Sequence, residues 1–81
     1  MNIFIAKLSN RTKGEDLRTL FEEYGEVLSA KVIFDRETGK SKRFGFVEMP
    51  NDDEGQNAIN ALNDSEFQNS TIVVKVANPK S

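Results

Sequence analysis

Three phenylalanines stand where a strand's alternation turns them away from any core. Phe4 lies in Ile3-Phe4-Ile5-Ala6-Lys7-Leu8, and Phe44 and Phe46 lie in Lys42-Arg43-Phe44-Gly45-Phe46-Val47-Glu48-Met49. Both runs read as strands, whose side chains point alternately to opposite faces. With Ile3, Ile5, Val47 and Met49 turned inward, Phe4, Phe44 and Phe46 face outward. Half of the chain's six phenylalanines would then meet water, which calls for a flat partner. The chemistry they offer is stacking, and an unpaired nucleobase suits it because every base has a π-face. A core role would be the simpler reading for Phe4 alone. Three rings in phase on two strands outweigh it.

Other chemistries find little support. The chain has no cysteine, which excludes disulfides and thiolate metal sites, and no histidine, the commonest general base and metal ligand. The loop Ser9-Asn10-Arg11-Thr12-Lys13 carries an arginine but no glycine nest to cradle a phosphate. Glu22-Glu23 and Asp52-Asp53-Glu54 read as solvated helix surface and first-turn dipole partners. The expectation is a binding protein with no catalytic residue, no cofactor and no metal. No apolar run approaches the roughly 20 residues needed to span a bilayer, and no signal-peptide pattern precedes the first strand. No membrane association and a cytoplasmic location are therefore expected.

The elements that must position the rings follow from periodicity. Residues 2–8 form the first strand. Thr12-Lys13-Gly14-Glu15 reads as a capping box, and Leu17, Leu20, Phe21 and Tyr24 recur at helical spacing up to Gly25, the expected C′ residue. Gly14 in the first turn is expected to loosen the helix start. Residues 26–34 form the second strand, with Val32 inward and Lys31 and Ile33 outward. Asp35-Arg36-Glu37-Thr38-Gly39-Lys40 is a hairpin loop. The third strand covers residues 43–49 and stops at Pro50. Asn51 and Glu54 cap a second helix whose buried face is Gly55, Ala58, Ile59 and Leu62. Asn63-Asp64-Ser65 turns the chain, Phe67 plugs the core, and residues 71–77 form the last strand with Ile72 and Val74 inward. Phe21, Tyr24, Phe34 and Phe67 are read as core or edge packing. The 81 residues make one domain, 1–81, of the α+β class. Its order is β-α-β-β-α-β: a ferredoxin-like fold with a four-stranded antiparallel sheet and two helices on one face.

The two runs that open this section resemble the paired signatures of the RNA recognition motif (RRM) family. Lys42–Met49 is similar to the RNP1 pattern K/R-G-F/Y-G/A-F-V-x-F/Y, and Ile3–Leu8 to its companion RNP2 strand. The resemblance covers essentially the whole chain and is closest to short single-domain bacterial members. It implies that Phe4, Phe44 and Phe46 stack bases or ribose. Arg43 stands where RNP1 has Gly, Met49 where it has Phe or Tyr, and Lys7 where RNP2 usually has Asn. Met49 is expected to fill core space. Arg43 is expected at a strand edge with its head in solvent.

The net charge of −2 argues at first against a polyanionic partner. The charges are unevenly spread, however. Residues 50–70 hold Asp52, Asp53, Glu54, Asp64 and Glu66 with no base, whereas residues 71–81 hold Lys75 and Lys80 with no acid. Acids on the helices and bases on the sheet would make a polarised molecule. The expected partner is single-stranded RNA, with single-stranded DNA as the second candidate. Lys7, Lys31, Lys42 and Lys75 would meet phosphates or base edges, Arg36, Lys40 and Arg43 would support them from the hairpin, and Ile33 would extend the platform. Val73, Lys75 and Ala77 share the aromatic face, and Asn78-Pro79-Lys80 leaves the sheet beside it. The competing readings are an RRM-like protein-interaction module and a homodimer formed through the sheet.

Overall fold

The computed structural model describes residues 1–77 of the chain. Its elements are β1 (Asn2–Ala6), α1 (Gly14–Glu22), β2 (Ser29–Phe34), β3 (Ser41–Glu48), α2 (Asp52–Leu62), β4 (Glu66–Phe67), β5 (Ser70–Thr71) and β6 (Val73–Val76). β2, β3, β1 and β6 lie side by side in that order as an antiparallel sheet, so the first strand is central. Ile3, Ile5, Val32, Val47, Val74 and Met49 are buried on one face with Leu17 and Phe21 of α1 and Ala58, Ile59 and Leu62 of α2. Both helices cover that face, and the other is free of them. This is the ferredoxin-like arrangement expected from the periodicity.

Gly45 shows why β3 needs a residue without a side chain at its centre. A Cβ there would run into the Lys31 carbonyl oxygen and come within 3.1 Å of both Leu17 Cδ1 and Val32 Cα. The glycine lets α1 and β2 close on β3 at the same point. Gly14 has a similar reason to be small, since a Cβ on it would lie 2.9 Å from the Ala30 carbonyl oxygen. The expected loosening of the helix start is therefore set against a close approach of α1 to β2.

Several boundaries differ from the expectations. Thr12 is not the cap of α1: it is fully buried, and its hydroxyl donates to Gln68 Oε1 at 2.6 Å. The cap is Lys13, whose N–H donates to Asp16 Oδ2 at 2.8 Å. Gly25 lies one residue beyond C′, because α1 ends at Glu22 with Glu23 as its C-cap. β1 stops at Ala6 because Lys7 takes φ 61°, and β2 begins at Ser29 rather than Glu26. β3 begins two residues earlier than expected, at Ser41.

The cap and buried face of α2 are as expected, with Asn51 Oδ1 accepting from the Glu54 N–H at 3.0 Å. Between α2 and β6 lies a hairpin, β4–β5, that periodicity does not announce. Its turn residues, Gln68 and Asn69, both have positive φ. Phe67 packs against the core from β4. Among the described residues no helix is long and apolar enough to cross a membrane. The segment Asn78-Pro79-Lys80 lies outside the described residues.

Candidate nucleic-acid interface

β1 and β3 bring the three outward rings into one patch on the helix-free face. In register, Phe4 pairs with Phe46 and Ala6 with Phe44. The ring centroids of Phe4 lie 5.5 Å from Phe46 and 5.8 Å from Phe44, both tilted, and Phe44 meets Phe46 edge-on at 6.1 Å. These separations suit aromatic pairs that support one another while leaving ring faces available. All three side chains are half-buried, neither in the core nor free in water.

Register also places the cations. Lys31 of β2 pairs with Phe46, and Lys75 of β6 pairs with Phe4. One cross-strand row therefore reads Lys31, Phe46, Phe4, Lys75, with exposed ammonium groups flanking two rings. Ile33 is half-buried beside a bulge that shifts the β2–β3 register between Val32 and Phe34.

The remaining expected residues gather at one end of the sheet. Lys7 is exposed just past β1. Arg43 has φ 64°, so it breaks the alternation of β3 instead of pointing inward, and it is exposed. The Leu8 N–H donates to the Arg43 carbonyl at 2.9 Å, which ties the two strand ends together. The left-handed backbone at Lys7 and Arg43 is the conformation that Asn and Gly adopt most readily. Those are the residue types that RNP2 and RNP1 carry there. Met49, the other departure, is fully buried as expected.

Arg36, Lys40 and Lys42 are exposed on or beside the β2–β3 loop. Asp35 organises that loop: its Oδ1 accepts the N–H groups of Glu37 and Thr38 at 2.8 and 3.2 Å. These bonds, aided by the charge of Lys42, hold its carboxyl below the ordinary value of 3.8. Gly39 closes the turn with φ 74°.

Net negative charge gathers at one end of the strands, not simply on the helix layer. Lys7, Arg11, Lys13, Arg36, Lys40, Lys42 and Arg43 belong to the end where β1 and β2 finish and β3 begins, together with the acids Glu15, Asp16, Asp35, Glu37, Asp64 and Glu66. Glu22, Glu23, Glu26, Glu48, Asp52, Asp53 and Glu54 occupy the opposite end. Among those acids, Asp52 meets the N-terminal ammonium at 3.6 Å, and Arg18 is tied to the carbonyls of Val27 and Leu28 at 3.3 and 3.4 Å and to Glu22 at 3.6 Å. Among the described residues no group of acids is arranged to hold a metal ion.

Sequence reasoning missed Phe34. It stands at the end of β2, 44% exposed and apart from the core cluster. The sequence offers one cue, its position directly before the loop at Asp35, where the helix layer no longer covers the sheet.

Comparison with known proteins bears on this geometry. Residues 3–73 match the family model for the RNA recognition motif. A Nostoc sp. protein named for RNA binding, RbpB, is 40% identical over 80 residues, covering 99% of this chain and 78% of the relative. The chloroplast RNA-binding protein CP31B of Arabidopsis thaliana is 39% identical over 79 residues; the match covers 98% of this chain but 27% of that protein. The crystal structure of the RNA-binding protein PG1 superposes with a TM-score of 0.95 at 47% identity, covering 100% of this chain and 98% of the other. A Sex-lethal protein–RNA complex superposes with a TM-score of 0.90 at 26% identity, over 99% of this chain and 48% of that one.

Proposed function

Because this chain belongs to the RNA recognition motif family and is a binding protein rather than an enzyme, we propose that it binds single-stranded RNA by stacking bases or ribose on Phe4, Phe44 and Phe46. The observation that carries this reading is the row Lys31, Phe46, Phe4, Lys75, in which two rings lie between two exposed cations on the helix-free face. A base laid on either ring leaves its phosphates within reach of a lysine. The net charge of −2 makes stacking, not counterion release, the main source of affinity. Lys7, Arg36, Lys40, Lys42 and Arg43 meet the backbone where it leaves the rings at the end where β3 begins, and Ile33 widens the apolar surface beside Lys31.

The test is fluorescence anisotropy with single-stranded RNA, the matching single-stranded DNA and duplex RNA. Phe44→Ala and Phe46→Ala are each expected to weaken RNA binding roughly five- to 150-fold, the loss of about 1–3 kcal/mol for a stacked base. The fold should survive, since neither ring belongs to the core cluster. Folded variants that bind like the parent would overturn the stacking reading. A sheet-mediated dimer with no affinity for any single strand, seen by sedimentation equilibrium, would replace it.

A further inference from the structure

Where β2 ends and β3 begins, a cleft is lined by Asn10, Phe34, Gly39, Lys40, Ser41 and Arg43. We propose that this cleft is an additional nucleotide subsite, which lengthens the RNA footprint past the three-ring platform. The inference rests on the RNA-binding reading above and adds a location, a direction and a fourth ring to it.

Three observations meet here. The first is Phe34, a large apolar side chain 44% exposed and not packed on the core, with its ring in the cleft wall. An exposed aromatic between charged neighbours is a stacking surface without its partner.

The second is Arg43. Its φ of 64° is unfavourable for any residue with a Cβ, and a glycine would relieve it. The surroundings nonetheless hold it there: its N–H donates to Ser41 Oγ at 3.0 Å, and its carbonyl accepts from the Leu8 N–H at 2.9 Å. Strained backbone of this kind concentrates at ligand contacts. Here it carries a guanidinium to the cleft wall, where bidentate recognition of a phosphate needs one.

The third is the direction of the field. The cleft has Lys40 and Arg43 in its lining, with Asp35 and Glu37 in the adjoining turn, whereas the other end of the platform runs into Glu48, Asp52, Asp53 and Glu54. A polyanion lying on Phe46 and Phe44 is therefore repelled more strongly at the Glu48 end than at the cleft, where Lys40 and Arg43 can take its phosphates.

Within the cleft, Phe34 takes the base or ribose face and Arg43 and Lys40 take the phosphate. The Asn10 amide supplies a donor and an acceptor for a base edge. The Ser41 hydroxyl, already accepting from Arg43, keeps its own hydrogen to donate to a ribose hydroxyl.

The experiment is a length series of oligouridylates and oligoadenylates, from about three to eight nucleotides, titrated at fixed salt against the parent chain, Phe34→Leu, Phe34→Tyr and Phe44→Ala. Phe34→Leu is expected to leave the shortest binding oligonucleotides unchanged and to weaken the longer ones about five-fold or more, one stacked base's worth. Phe34→Tyr, which keeps the ring, should restore the increment. Phe44→Ala should weaken every length.

Equal behaviour of Phe34→Leu and the parent at all lengths, with Phe44→Ala impaired, overturns the subsite and leaves the platform reading standing. Absence of binding by the parent at any length overturns both. An independent measurement on the parent covers the case of a poorly folded variant. Amide shifts at Asn10, Gly39 and Ser41 should begin only with oligonucleotides longer than those that saturate the shifts of Phe4, Phe44 and Phe46. Silence at those three amides overturns the subsite.

Discussion

Lys7 directly follows Ala6 and Arg43 directly precedes Phe44, the pair at which the β1–β3 ladder ends, and both hold left-handed backbone, with φ of 61° and 64°. Two basic residues thus flank the last β1–β3 pair, each in a conformation better suited to Asn or Gly. Non-glycine residues in sparsely populated backbone regions cost on the order of 1–3 kcal/mol each. Arg43→Gly should therefore raise stability by about 1 kcal/mol while lowering RNA affinity through the lost guanidinium. Urea denaturation with an unchanged m-value, together with anisotropy titration, reads both effects. A destabilised Arg43→Gly would show that the local hydrogen bonds more than offset the backbone cost.

The cation row makes a salt prediction. Lys31→Gln and Lys75→Gln should each flatten the plot of log affinity against log salt by about 0.7, the contribution of one phosphate contact on a single strand. Titration at several potassium chloride concentrations measures the slope. A slope unmoved by either change would mean that the two ammonium groups meet base edges or solvent instead of phosphate.

Gly45→Ala tests the packing beneath the platform. The new methyl must displace the Lys31 carbonyl, Leu17 or the backbone at Val32, so a loss of about 1–3 kcal/mol or more is expected. Because Lys31 and Phe46 keep their positions through this pairing, RNA affinity should fall with stability. A normal denaturation midpoint in this variant would show that β2 and β3 can part without cost.

Asp35 makes the pH prediction. Its carboxyl is held below 3.8 in the folded chain, chiefly by the Glu37 and Thr38 N–H groups, so the ionised form favours folding. That contribution is complete above about pH 5 and is lost as the pH falls through the folded value. The stability difference between the parent chain and Asp35→Asn should be constant above about pH 5 and shrink below about pH 4. Parallel curves down to pH 2 or so would show that the loop carboxylate is not linked to folding.

The strands and helices were legible because their burial is periodic. Ile3 and Ile5, Val47 and Met49, and Ile72 and Val74 alternate as a sheet against a core requires, and Leu17, Phe21, Ala58, Ile59 and Leu62 keep helical spacing. The outward rings were legible for the same reason in reverse. Long-range contacts were not. Thr12 has the look of a cap, but its hydroxyl goes to a residue 56 positions away, and no local rule anticipates that. β4 and β5, two residues each, are too short for a period, and only Asn69 hints at their turn. The gathering of Glu22, Glu23, Glu26, Glu48 and Asp52–Glu54 at one end was hidden because sequence blocks mix the two ends of the fold. Phe34 has the composition of a strand residue, and only the missing cover above it leaves it in solvent.

The placement of β1 has a consequence for how the chain reaches its native state. The strand made first sits between β3 and β6, so neither edge of its hydrogen-bond ladder closes until later segments arrive. Its second partner, with the Ile5–Val74 pair, comes only with the last strand of the fold. Such non-local closure slows folding, because loop entropy must be met before the contacts repay it. A chain emerging from the ribosome therefore leaves one edge of β1 unpaired until Val73–Val76 has been made, even after β3 has closed the other. A fragment ending before Val73 would keep that edge open for good, poised for strand addition to a neighbour.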